Sequence, residues 1–193
     1  MPYPIYTIGG KPVTGKSTLA KTLAQQLGYD RIYVGGILRE WSRQSEHNPL
    51  NLPFDEWYRS LHNNSSLDNK ADRTVGEAAQ IRNDLVLEGR VAFHFVPPTK
   101  RAITCNVYLT CDQHVASERI FDLQRNTARP EEIQYRCANH AYKVLTQRFN
   151  DEITRYKALY GIDIGDDGHY DLIIDTTTLS KTDVLSRVLS FKK

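Results

Sequence analysis

Along the chain, short β-branched or aromatic runs alternate with stretches whose apolar residues recur at helical spacing. Ile5 to Ile8 is the first such run, a buried strand that ends at a Gly-rich turn. From Lys16 to Leu27 the leucines at 19, 23 and 27 recur every four residues, with Ala20 and Ala24 beside them. That is the stripe of an amphipathic helix, and Gly28 supplies its stop. Ile32 to Val34 reads as a second strand, and Gly35-Gly36 leads into a helix beginning near Ile37. The stretch from His47 to Pro53, with its Asn48-Pro49 turn signal, predicts a break. Helices follow over Phe54 to Leu61 and about Leu67 to Ile81, separated by Asn63-Asn64-Ser65-Ser66, where Ser65 or Ser66 caps the second.

Three more apolar runs complete the pattern: Leu85-Val86-Leu87, Val107-Tyr108-Leu109 and Leu172-Ile173-Ile174. Helical sequence follows the last two, over Asp112 to Gln124 and Lys181 to Leu189, and a long arginine-rich helical segment lies between Pro130 and Tyr160. Strand–helix alternation implies an α/β domain with a mostly parallel, five-stranded sheet between two layers of helices. Residues 1–193 form one domain in this reading, with helical insertions at about 39–82 and 122–160 as mobile lobes.

Composition narrows the class without naming a partner. Hydrophobic residues make up 40% and charged residues 25%, and the net charge of +2 is too small to argue for nucleic acid or a membrane surface. No apolar run reaches the roughly 18 residues of a membrane span. Met1-Pro2-Tyr3-Pro4 enters a strand without a charged-then-apolar leader, so a cytoplasmic protein is expected. Cys105, Cys111 and Cys137 lack metal-ligand spacing and read as thiols in a reducing compartment. The histidines form no pair four residues apart, so no zinc site is expected.

Chemistry concentrates first in Gly10-Lys11-Pro12-Val13-Thr14-Gly15-Lys16-Ser17, a complete phosphate-binding loop pattern between a strand and a helix. Glycines let the backbone wrap around phosphate oxygens with its N–H groups inward, and the helix N-terminus adds favourable charge. Lys16 supplies a point charge to the outer phosphates, and Ser17 a hydroxyl for Mg²⁺. The pattern serves kinases, hydrolases and switches alike.

A kinase for small molecules also needs inward-facing arginines for an anionic acceptor. Arg39 lies early in the helix after the second strand, and Arg90 just past the third, near the carboxyl edge where open α/β sheets bind ligands. Glu88 ends the same strand, where it either orients Mg²⁺ through water or serves a cap or salt bridge. Residues 119–157 carry eight cations, among them Arg119, Arg125, Arg129, Arg136, Arg148 and Arg155, against five acids. Two readings stay open there: a flap that closes over phosphates, or salt bridges, with Asp151 three and four residues from Arg148 and Arg155. Trp41, Trp57 and Tyr58 either stack on a base or pack a core.

The run Ile8 to Thr18 resembles the opening of cytidylate kinases, especially the short archaeal type. Gly35-Gly36-Ile37-Leu38-Arg39, Leu67 to Arg73, Val86 to Arg90, Glu118-Arg119-Ile120, Arg155 to Asp163 and Tyr170 to Thr176 are similar to that family in order over nearly the whole chain. The resemblance implies a P-loop three-layer fold, ATP with Mg²⁺ as donor, and a nucleoside monophosphate, CMP or dCMP, as acceptor. A monomer with no stable nucleic acid partner is expected. Lys16 and the loop from Gly10 to Thr18 would hold the donor phosphates, and Arg39, Gly89 and Arg90 the acceptor phosphate. Arg119 would pack against the donor adenine; Arg125, Arg148 and Arg155 would approach the transferring phosphoryl; Asp72 and Arg73 would lie near the acceptor base.

The chain departs from that pattern at Val13, where the family has a small residue or glycine, and at Gly36, where it has an acidic one. Residues 126–147 fit the family's lid poorly, and Phe93-His94 replaces a glycine- and tryptophan-containing segment. Other small acceptors, such as another nucleotide, a nucleoside or a sugar acid, remain open. So does a nucleotide-binding regulator.

Overall fold

A computed structural model describes residues 3–52, 54–60, 66–126 and 134–193. Five strands, β1 (Ile5–Gly10), β2 (Asp30–Tyr33), β3 (Leu85–Glu88), β4 (Thr104–Thr110) and β5 (Leu172–Asp175), form one sheet in the order β2-β3-β1-β4-β5. Every pairing is parallel, so the sheet is wholly rather than mostly so. All strands therefore end at the same edge, and β1 lies at the centre.

The strand residues explain the layering. Leu85 and Leu87 enter one core with Ile5, while Val86 enters the opposite core with Tyr6 and Ile8. Apolar residues on both faces bury a strand completely, which parallel sheets require. The first core is covered by α2 (Val34–Ser42), α3 (Phe54–Ser60), α4 (Ser66–Ile81) and the short α5 (Ala92–Phe95). The second is covered by α1 (Lys16–Leu27) and α8 (Lys181–Ser190), through Leu19, Leu23, Val184 and Val188. A third cluster around Val91, Tyr156, Ile162 and Ile164 seats the end of α7 (Ala138–Tyr160), which runs against α6 (Gln113–Asn126).

Some expectations move. The helix after β2 begins at Val34, not near Ile37, because β2 pairs with β3 only as far as Tyr33 opposite Glu88. Gly35 and Gly36 thus belong to its first turn rather than to a preceding loop. Helix α5 and a 3-10 turn over Pro98–Ile103 are too short to leave a periodic signal. Leu61, the Asn63-Asn64-Ser65 separator with its Ser65 cap, Arg129 and the Pro130 start of the arginine-rich helix lie outside the described residues. No helix among the described residues is long and apolar enough to cross a membrane.

Candidate active site

The turn after β1 is shaped by backbone constraints that few residues meet. Gly10 has φ 140°, and a Cβ there would strike the Leu109 carbonyl. Lys11 N donates to Leu109 O at 3.0 Å, tying the loop to β4. Val13 sits at φ 60°, a left-handed conformation that strains a β-branched residue. The Val13 departure from the family therefore falls where glycine would fit most easily. Thr14, buried, donates to Lys11 O at 2.9 Å, and its carbonyl accepts from Thr176 Oγ1 at 3.2 Å, so β5 braces the loop from behind. Lys16 Nζ donates to Lys11 O. Burial, then the nearby Arg90 charge, holds its ammonium well below the usual lysine range. Half-buried in the cavity wall, that cation faces the space an anion would occupy.

Glu88, at the carboxyl end of β3, is 2% exposed. Ser17 Oγ donates to its Oε1 at 2.5 Å, while Arg31 Nε donates to Oε2 at 3.0 Å with Nη2 alongside. The two open readings of Glu88 thus merge: it forms a salt bridge and also faces the loop hydroxyl. A hydroxyl and a carboxylate in contact are the hard oxygen donors that suit Mg²⁺, partly through water.

Arg90 is fixed from two sides, donating to Gly10 O and pairing with Glu152, Nε to Oε2 at 2.7 Å and Nη2 to Oε1 at 3.0 Å. Arg148 reaches the same carboxylate, Nε to Oε1 at 3.3 Å. Burial alone would raise the Glu152 carboxyl, but Arg90 and Arg148 outweigh it and hold it below its ordinary value. Arg39 Nη1 donates to Tyr33 OH at 2.6 Å and Gly35 O at 3.1 Å, and its guanidinium lies 4.8 Å from the Phe54 ring centre.

These groups face one cavity of about 760 Å³ at the carboxyl edge of the sheet. The loop from Pro12 to Thr18, Glu88, Gly89, Arg90, Arg148 and Glu152 form its middle. On one side lie Arg119, Ile120, Leu179 and Lys181; on the other, Tyr33, Arg39, Phe54 and Tyr58. Arg119 also donates to the Thr176 and Thr177 carbonyls at 2.8 and 2.9 Å, which holds its plane at the mouth. The cavity is thus a trough with Lys16, Arg90 and Arg148 gathered beside Glu88 and Glu152 at its middle, aliphatic residues at one end and aromatic ones at the other.

Other expected site residues lie elsewhere. Arg155 is 7% exposed and sits behind the cavity wall, donating to Tyr58 OH at 2.8 Å and to Asp68. Its Nη2 ties α7 to α3 and α4, while Nε and Nη1 are buried without a hydrogen bond. Arg125 is exposed, 5.9 Å from the Phe121 ring centre, and does not line the cavity. Arg73 is also exposed and donates to Asn69 Oδ1 at 2.7 Å. Asp72 is buried, accepts from Tyr160 OH at 3.0 Å, and is pushed up to about 7 by desolvation. Asp151 accepts from Gln147 at 2.8 Å, whereas Glu152 and Asp68 take the arginines. Trp57 packs the core and donates to His47 O at 2.7 Å, but Tyr58 reaches the cavity wall. Phe93 stacks on His169 at 4.8 Å, and His94 packs on Tyr160, both outside the cavity. Cys105 and Cys111 are buried and Cys137 is exposed.

Sequence reading missed Tyr33, Arg31, Glu152 and Thr176. Only Glu152 carried a signal, four residues after Arg148 on one helix face.

The chain is 30% identical over 182 residues to a cytidylate kinase of Methanococcus vannielii, covering 94% of this chain and 95% of that one. It is equally identical over 190 residues to a cytidylate kinase of Methanopyrus kandleri, covering 94% and 89%. A shikimate kinase from Bacteroides thetaiotaomicron shares the fold at TM-score 0.61 and 13% identity, over 95% of each chain. The model of the cytidylate kinase-like family matches residues 5–178, from the first strand through the closing one, and the chain belongs to that family.

Proposed function

We propose that the protein transfers the γ-phosphoryl group of MgATP to CMP or dCMP, giving ADP and the cytidine diphosphate. One observation carries the reading: Lys16, Arg90 and Arg148 converge at the middle of a trough whose two ends differ in chemistry. The loop amides and Lys16 bind the donor phosphates, and Arg119 lies where the donor base would rest. Arg39 and Arg90 hold the acceptor phosphate. The relatives' names supply the cytosine preference.

The transfer is in line, without a covalent enzyme intermediate, because the attacking oxygen is already a phosphate anion and needs no strong base. What this chain supplies is position and charge. Arg90 cannot drift, since Glu152 and Gly10 O hold it, and Arg148 beside it adds a second guanidinium where negative charge gathers. Ser17 and, through water, Glu88 would hold Mg²⁺, which when bound neutralises charge on the phosphate oxygens. The helical insertions at about 39–82 and 122–160 act as acceptor lobe and lid, closing to exclude water.

A panel of acceptors with coupled detection of ADP tests this. The expected result is fastest turnover with CMP or dCMP and little with cytidine or sugar acids. Comparable turnover of cytidine would remove the role given to Arg39 and Arg90.

A further inference from the structure

We propose that Tyr33 is the positioning residue for Arg39, and that the bare Gly35-Gly36 pair exists in this chain to seat its ring. The inference rests on the proposed acceptor role of Arg39. Tyr33 is the last residue of β2, so its side chain leaves the sheet at the edge where the cavity opens, and it lines that cavity. Its hydroxyl accepts from Arg39 Nη1 at 2.6 Å. The Arg31 guanidinium lies 4.6 Å from its ring centre, and Arg31 is itself fixed by the buried Glu88. A cation over one ring and a charge-assisted bond to its hydroxyl hold the phenol in one place.

The floor beneath it has no side chains. A Cβ at Gly35 would sit 2.8 Å from Tyr33 Cε2, and one at Gly36 would sit 2.6 Å from Cδ1. Carbon atoms do not approach so closely, so any residue but glycine at either position displaces the ring. This accounts for the missing side chain at Gly36. The space such a side chain would use is taken by an aromatic ring whose hydroxyl pins the arginine. Phe54 also lies against that guanidinium, its ring centre 4.8 Å away, so Arg39 is preset by two aromatic neighbours. A long flexible side chain held in its working geometry loses less entropy when an anion arrives.

The test compares Tyr33→Phe, Gly36→Ala and the double variant in steady-state assays with CMP and MgATP. Tyr33→Phe keeps the ring and removes the bond, and it should raise the acceptor KM about tenfold with the ATP KM unchanged. Gly36→Ala should raise the acceptor KM severalfold although alanine favours the helix, so thermal stability should hold or rise. Because both act through one hydroxyl, the double variant should be little worse than Tyr33→Phe alone. Additive losses, an acceptor KM within twofold of wild type in Tyr33→Phe, or an equal rise in the ATP KM would each overturn the inference. Absence of monophosphate turnover by the wild-type protein would instead sink the proposed function, and this inference with it.

Discussion

The two ends of the cavity are built by different means. The donor loop is a contiguous run whose shape follows from main-chain conformation at Gly10, Val13 and Gly15. The lining around it is assembled from side chains far apart in sequence: Arg90 with Glu152 and Glu88 with Arg31, backed by Arg155 with Tyr58 and Asp68. Local geometry tolerates loss of a side chain. Long-range ion pairs do not, because removing one partner strands the other inside the protein.

Lys16→Ala is the sharpest probe of the donor side. It should lower kcat by about a thousandfold, while the melting temperature holds or rises, because a partly desolvated ammonium beside Arg90 is removed. Turnover close to wild type would discard the donor assignment. Glu152→Ala should behave in the opposite sense, first through stability. It leaves Arg90 and Arg148 facing each other without their shared carboxylate, a loss of about 3–5 kcal/mol. In a domain of this size that lowers the melting temperature by about 10 °C. An unchanged melting curve would show that the bridge does not hold α7 in place.

Asp72 offers a gentler test through pH. Its folded carboxyl is raised to about 7 by desolvation, against 3.8 in a free chain. The protein therefore keeps this contribution below about pH 4 and loses it as pH climbs toward 7, because only the unfolded chain ionises freely there. A side-chain amide in its place would not titrate. Asp72→Asn should accordingly gain on wild type by several degrees of melting temperature between pH 5 and pH 8; a constant difference would count against a strained carboxylate. The smallest effect belongs to Arg73→Ala. That side chain is exposed and bonded to Asn69, so acceptor KM and kcat should stay within twofold of wild type. A larger loss in either constant would return Arg73 to the base-binding role that family resemblance gave it.

The same contrast explains what could be read without coordinates. The order of strands and helices was legible, because Leu85-Val86-Leu87 and the Leu19-Leu23-Leu27 stripe each carry the period of their element. The phosphate loop was legible because its pattern is local. Arg155 was not, since nothing near residue 155 shows that it will pair with Asp68 and Tyr58. Tyr33 was equally hidden. An aromatic at a strand end has many uses, and only the empty floor at Gly35 and Gly36 reveals this one.

Product analysis by phosphorus NMR, with ATP, Mg²⁺ and CMP, tests the central claim most directly. ADP and CDP should appear in equal amounts, from wild type but not from Lys16→Ala. ADP released at the same rate without CMP, or no CDP at all, would contradict phosphoryl transfer between two nucleotides in this trough.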